Sequence, residues 1–262
     1  MEIGLSSASF YPEVNTEDSI ALMKKIGFDF GEIFLNSPSE YEEEFIKMLL
    51  EKVETNSFRV NSVHAFGSQF EPYLFDKYKR RREDMVKYFK NICRAGSMLG
   101  AKCYVFHGMR LESFEIIDKN LVIDIYNELS YIALENGIKL AQENVSWCMS
   151  SNIKFLEMLK EKCKYPVYFT IDIKQAYKSG IEPNSYIDIM GKDIINFHIN
   201  DRDDKNVCLL PGRGTVDYES IINKLKEVEY KGPAILEVYR SNYRDYAELL
   251  ESKLWTQKHL QM

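Results

Sequence analysis

The 262-residue chain predicts an α/β fold, a single TIM (β/α)8 barrel, on three observations. Eight short apolar runs recur along it, each followed by a longer stretch with helical periodicity, which is the pattern of βα units. The runs are rich in β-branched and aromatic residues on consecutive positions, as parallel strands covered on both faces require. No Pro/Gly-rich linker or shift of composition divides the chain. The expectation is therefore one domain over residues 1–262, and eight parallel strands are the number that closes a barrel. An open doubly wound sheet is the alternative, but a Gly-x-Gly-x-x-Gly turn does not follow the first run, where Ser-Ser-Ala-Ser-Phe-Tyr-Pro stands instead.

The elements follow in order. Ile3 to Ala8 is the first strand, and Thr16 to Ile26 the helix after it, with Ile20, Met23 and Ile26 on one face, Thr16 as N-cap and Gly27 as stop. Gly31 to Leu35 is the second strand; Glu40 and Glu42 to Glu44 then open a helix, where acids favour the positive end of its dipole. Arg59 to Ala65 precedes a long helical stretch from Tyr78 to Leu99, whose apolar side carries Met85, Phe89, Ile92 and Met98 and whose end is marked by Gly100. The basic run Lys79 to Arg82 reads as a solvated helix face. Cys103 to His107, Ile138 to Glu143 and Val167 to Ile171 come next. Gly180 and Pro183 interrupt the following segment and predict a short irregular helix with a loop. Ile194 to Ile199 and Ala234 to Val238 complete the set.

Composition limits the function classes. A chain 45% hydrophobic and 28% charged has the balance of an ordinary folded protein with a sizeable core. Lys and Arg number 34 against 40 Asp and Glu, a net charge of -6, so no global basic surface exists for a nucleic-acid backbone and no nucleic-acid partner is expected. No run approaches the roughly 20 apolar residues of a membrane span, and the N-terminus lacks a signal-peptide pattern, so the expected location is the cytoplasm. The five cysteines lack CxxC or zinc-finger spacing and read as reduced thiols.

The polar residues that end the runs carry the chemistry, because the C-terminal strand ends of a barrel converge on one mouth. Glu32 lies in the second run, and the third to eighth end at or near His64, His107, Glu143, Asp172, His198 and Glu237. Carboxylates and imidazoles in apolar strands cost several kcal/mol to bury unless they are paired or bind a metal. Glu143, Asp172, His198 and Glu237 come from four consecutive strands and supply three carboxylates and one imidazole. Such oxygen-rich ligation suits Mn²⁺, Mg²⁺, Co²⁺ or Zn²⁺ alike. Asn144, Asn200 and Asp201 read as supporting contacts or as turn chemistry, and Trp147 as a pocket wall or as packing. Arg213, between glycines on a mouth loop, is placed to reach an anionic or polyhydroxyl substrate.

Over its whole length the chain resembles the sugar phosphate isomerase/epimerase family of xylose isomerase-like TIM barrels. The motifs that carry the resemblance are SVHAF, VFHG, QEN, TIDIKQAY, FHIND, LPGRGTVDY and AILEV. The resemblance implies one divalent metal ion held by Glu143, Asp172, His198 and Glu237, with Mn²⁺ favoured over Co²⁺, Zn²⁺ or Mg²⁺. It implies Glu143 and Glu237 as the acid and base that move a proton next to a carbonyl through an enediolate. His64, His107, Gln175, Arg213 and Glu32 would then surround a small sugar or polyol substrate. The endonuclease IV type of the same fold shares histidines matching His64 and His107, but has a His where this chain has Gln175 and further ligands where Asp201 to Arg213 contains no His. A metal-dependent isomerase or epimerase is the expected function; a keto-polyol (inosose-type) dehydratase and an endonuclease IV-like phosphodiesterase are the alternatives. A homo-oligomer remains open.

Overall fold

The computed structural model of the protein describes residues 1–260. Among the described residues, eight parallel strands close into a barrel in chain order. They are β1 (Ile3–Ser6), β2 (Phe30–Leu35), β3 (Arg59–Ala65), β4 (Cys103–Phe106), β5 (Lys139–Glu143), β6 (Tyr168–Asp172), β7 (Ile194–Ile199) and β8 (Ala234–Leu236). Around them lie α1 (Thr16–Ile26), α2 (Glu43–Thr55), α3 (Lys79–Met98), α4 (Lys119–Glu135), α5 (Ile153–Lys162), α6 (Ile173–Lys178), α7 (Pro183–Met190), α8 (Tyr218–Glu227) and α9 (Ala247–His259). The fold is the TIM barrel that the alternation predicts.

Strand residues alternate between two environments, as the period of two requires. Ile33, Val63, Phe106, Leu140, Phe169, Ile171 and Phe197 face outward and pack with Ile20, Leu49, Phe89, Leu129 and Leu225 of the helices in one continuous core. The other face looks into the barrel, where bulky aliphatic side chains are the norm. Here the layer beneath the mouth is polar: Ser6, Glu32, Ser62, Thr170 and Asn196 are all fully buried. A register shift at Phe169/Thr170 adjusts the pairing of β6 with β7 so that Asp172 stands directly beside His198, and a second, at Gly31/Glu32, lies in the pairing of β2 with β3.

Several boundaries differ from expectation for local reasons. β1 stops at Ser6 instead of Ala8, because Ser7–Phe10 turns into a 3-10 segment whose first N–H groups include Ala8 N bonded to Ser6 Oγ. The cap position of α1 is Asn15, and Thr16 is the first helical residue; its hydroxyl donates to Glu40 Oε2 at 2.8 Å. Glu40 therefore lies in a 3-10 turn before α2 and ties it to α1, whereas Glu43 and Glu44 do occupy the first helical turn. Gly27 ends α1 with φ +114°, a conformation that favours glycine. The broken segment after β6 resolves into α6 and α7, with Pro183 opening the second. Cys93, Cys103, Cys148 and Cys208 are buried and all five cysteines are unpaired. No helix is long and apolar enough to cross a membrane among the described residues.

Candidate metal centre and active site

Glu143 and Asp172 are the last residues of β5 and β6, His198 is next to last in β7, and Glu237 follows β8 directly. Each can offer one ligand atom, and these four atoms all lie within 4.8 Å of one another. His198 Nδ1 is the hub, 3.3 Å from Glu143 Oε1, 3.5 Å from Glu237 Oε2 and 3.8 Å from Asp172 Oδ2. Glu143 Oε2, Asp172 Oδ2 and His198 Nδ1 are buried without a hydrogen-bond partner. Buried polar atoms are rarely left so, and convergent donors of this chemistry fit a divalent cation.

The shell behind these atoms orients them. Glu32 sits below the mouth and accepts from Ser6 Oγ at 3.1 Å and Ser62 Oγ at 2.7 Å, and its Oε2 lies 3.0 Å from His198 Nε2. A carboxylate there anchors Nε2 and turns Nδ1 toward the cluster, the arrangement found behind metal-binding histidines. Asn144 clasps the backbone of Asp172, donating to its O at 3.0 Å and accepting from its N at 2.7 Å, and Asn200 donates to Asp172 Oδ1 at 3.3 Å. Asp172 also caps α6 by accepting from Gln175 N at 2.9 Å.

Burial opposes ionisation of Glu143, but His107, His198 and His64 outweigh it and hold its carboxyl well below the usual carboxylate range. Lys174 and His198 do the same for Glu237 against its burial. Burial likewise disfavours the imidazolium of His64, yet Glu143 and Glu32 push its pKa up to about 9. The negative field that raises proton affinity at these rings also draws a metal cation.

His64, His107, Glu143, Gln175 and Glu237 line a mouth chamber of about 230 Å³, walled by Tyr11, Phe34, Phe66, Val238 and Tyr239. His107 Nε2 approaches Glu143 Oε2 to 3.0 Å, and Trp147 stands edge-on to the His107 ring at 5.6 Å. Gln175 Oε1 accepts from the Ser146 N–H and hydroxyl, which fixes its amide at the chamber wall. A larger cavity of about 790 Å³ opens beside Phe30, Arg59 and Tyr230 at the opposite end and contains none of the four clustered residues.

Two expected substrate contacts lie elsewhere. Glu32 is sealed beneath His198 and does not line the chamber. The guanidinium of Arg213 is drawn to Glu248 and lies 3.6 Å from Glu251, both on α9, and it also does not line the chamber. The loop that carries Arg213 explains this. Asp201 accepts from the N–H groups of Gly212, Gly214 and Val216, and a Cβ at Gly214 would lie 2.2 Å from Arg202 O, so the loop is cinched onto the end of β7. Asp201 is thus a loop staple.

The residue motifs missed two buried charges. Lys174, 4% exposed, brings its ammonium 2.9 Å from Glu237 Oε2 and 3.5 Å from Asp172 Oδ2. Its signal was positional: a cation in the first turn of a helix opposes the dipole and needs a compensating partner. Glu71, fully buried, accepts from Tyr104 Oη and from the N–H groups of His107 and Gly108 at 2.8 and 2.9 Å. Its partners lie far along the chain, so no local pattern marks it.

A family model described as xylose isomerase-like TIM barrel matches residues 20–260. The inosose isomerase of Bacillus subtilis (strain 168) is 23% identical over 255 residues, covering 93% of this chain and 91% of that protein. A D-tagatose 3-epimerase-like protein superimposes with a TM-score of 0.80 at 22% identity, over 98% of both chains. The IOLI protein with a binding zinc atom gives a TM-score of 0.78 at 18% identity, over 99% of this chain and 98% of that one. With its barrel, its strand-end residues and this match over nearly its full length, the chain belongs to the xylose isomerase-like TIM barrel family.

Proposed function

We propose that the protein is a metal-dependent isomerase or epimerase of an uncharged ketose or cyclic keto-polyol. The observation that carries this is the convergence of Glu143, Asp172, His198 and Glu237 at the mouth, with Glu143 Oε2, Asp172 Oδ2 and His198 Nδ1 left without a hydrogen-bond partner. A divalent ion bound there supplies Lewis-acid stabilisation of the charge that develops on a carbonyl oxygen when the adjacent proton leaves. Glu143 and Glu237 enter the chamber from β5 and from the end of β8, so two carboxylates flank one bound substrate. One removes the proton and the other returns it, each step contributing roughly 10²- to 10⁴-fold. His107 and Gln175, which line the chamber, would hold substrate hydroxyls.

The charge of the chamber supports an uncharged substrate. Lys174 is the one Lys or Arg among its lining residues and is already bonded to Glu237, the His64 and His107 rings face the Glu143 carboxylate, and Arg213 is held on α9. A phosphate would find no free cationic partner. In deuterated water, the metal-loaded protein is expected to exchange the α-proton of ketoses or keto-inositols at least tenfold faster than that of their phosphates. Faster exchange of the phosphates refutes the uncharged-substrate reading.

A two-ion phosphodiesterase is the second reading. Its support is that His64, His107 and Glu143 also converge as a possible ligand group; against it, this group shares Glu143 with the first and Gln175 stands where that enzyme type has a His. Metal analysis after loading and gel filtration is expected to give one ion per chain, lost in Asp172→Asn. Two or more tightly held ions would move the assignment to the hydrolase.

A further inference from the structure

We propose that Lys174 is a positioning residue that acts as a built-in counter-cation: it competes with the divalent ion for Asp172 and Glu237, and so sets how tightly the centre holds its metal. The proposal rests on the metal reading above. The oxygens that face the ammonium, Glu237 Oε2 and Asp172 Oδ2, are the same ones that face His198 Nδ1 at 3.5 and 3.8 Å. An ion seated among the four ligands therefore shares two carboxylate oxygens with Lys174.

The ammonium is confined. Lys174 is 4% exposed, its Nζ donates to Glu237 at 2.9 Å, and the Tyr239 ring lies beneath it with the centroid at 5.0 Å. Its anchor is α6, whose first turn is fixed by the Asp172 cap, so the charge follows the ligand strand itself. Three carboxylate ligands carry one charge more than a divalent ion neutralises, and Lys174 supplies the missing one. Two consequences follow from Coulomb's law at such short range in a partly desolvated site. Without a metal, Lys174 holds Glu237 and Asp172 together against their mutual repulsion. With a metal, it repels the incoming ion and weakens its binding by a large factor, while its hydrogen bond keeps the Glu237 carboxylate aimed into the chamber.

The test is a chelator-competition titration of Zn²⁺ and Mn²⁺ on wild type, Lys174→Met and Lys174→Gln at one pH, with thermal melting of each protein with and without metal. Both variants are expected to bind the ion at least tenfold more tightly with unchanged stoichiometry. They should melt lower than wild type without metal and gain more on its addition. A lysine that only fills space predicts no such gain in affinity. The glutamine variant keeps a donor toward Glu237 and serves if the methionine variant does not fold. Binding by wild type with equal or weaker binding by the variants overturns the role of Lys174 and leaves the metal centre standing. Absence of ion binding in all three proteins overturns the metal reading, and this inference with it.

Discussion

Glu143→Gln and Glu237→Gln are each expected to lower turnover of the true substrate by about 10²- to 10⁴-fold, the range a positioned base or acid contributes, and to separate in solvent exchange. Glutamine keeps the shape and a carbonyl oxygen, so folding and much of the metal binding persist while basicity is lost. With a substrate of one configuration, the variant lacking the base shows no incorporation of solvent deuterium at the α-carbon, whereas the variant lacking only the returning acid still exchanges. The opposite configuration reverses the pattern, because the two carboxylates reach the chamber from different strands, β5 and β8. Full turnover by either metal-loaded variant would move the proton chemistry to another residue of the mouth, His107 first.

The second large effect is on stability. Glu71→Ala removes the acceptor shared by the Tyr104 hydroxyl and the backbone N–H groups of His107 and Gly108. At about 1 to 3 kcal/mol for each buried donor left unpaired, the expected loss exceeds about 3 kcal/mol, a large part of the 5 to 15 kcal/mol typical of a folded domain. Denaturant unfolding with an unchanged slope measures it. Glu71→Gln, which retains one acceptor oxygen, should fall between the two proteins. A loss below about 1 kcal/mol for the alanine variant would mean that water replaces the carboxylate and that Glu71 does not fix the loop carrying His107.

The sequence made the barrel and the four clustered residues legible for one reason. Parallel strands buried on both faces read as apolar runs, so a carboxylate or imidazole at the end of such a run stands out against its neighbours, as Glu143, Asp172 and His198 do. The runs located β3 and β7 to the residue, Arg59–Ala65 and Ile194–Ile199. Features that depend on pairing across the chain were hidden. Glu32 appeared equivalent to the other acids, but the depth of its position in β2 puts it under His198. Arg213 has the sequence context of a substrate loop, and only the α9 carboxylates reveal where its charge goes. Glu71 opens a short 3-10 turn, where an acid is ordinary, and the partners that hold Lys174, Glu237 above all, lie far along the chain.

The bond between Glu32 of β2 and His198 of β7 crosses the barrel between elements far apart in the chain. All four clustered residues follow the midpoint of the sequence, yet the ring that joins them is turned by a carboxylate from its beginning. A fragment carrying β5 to β8 would possess every donor and still lack the group that directs His198 Nδ1 inward. The four donors and the carboxylate that turns their imidazole therefore come together only when the barrel is closed, where β8, with Glu237 at its end, pairs with β1.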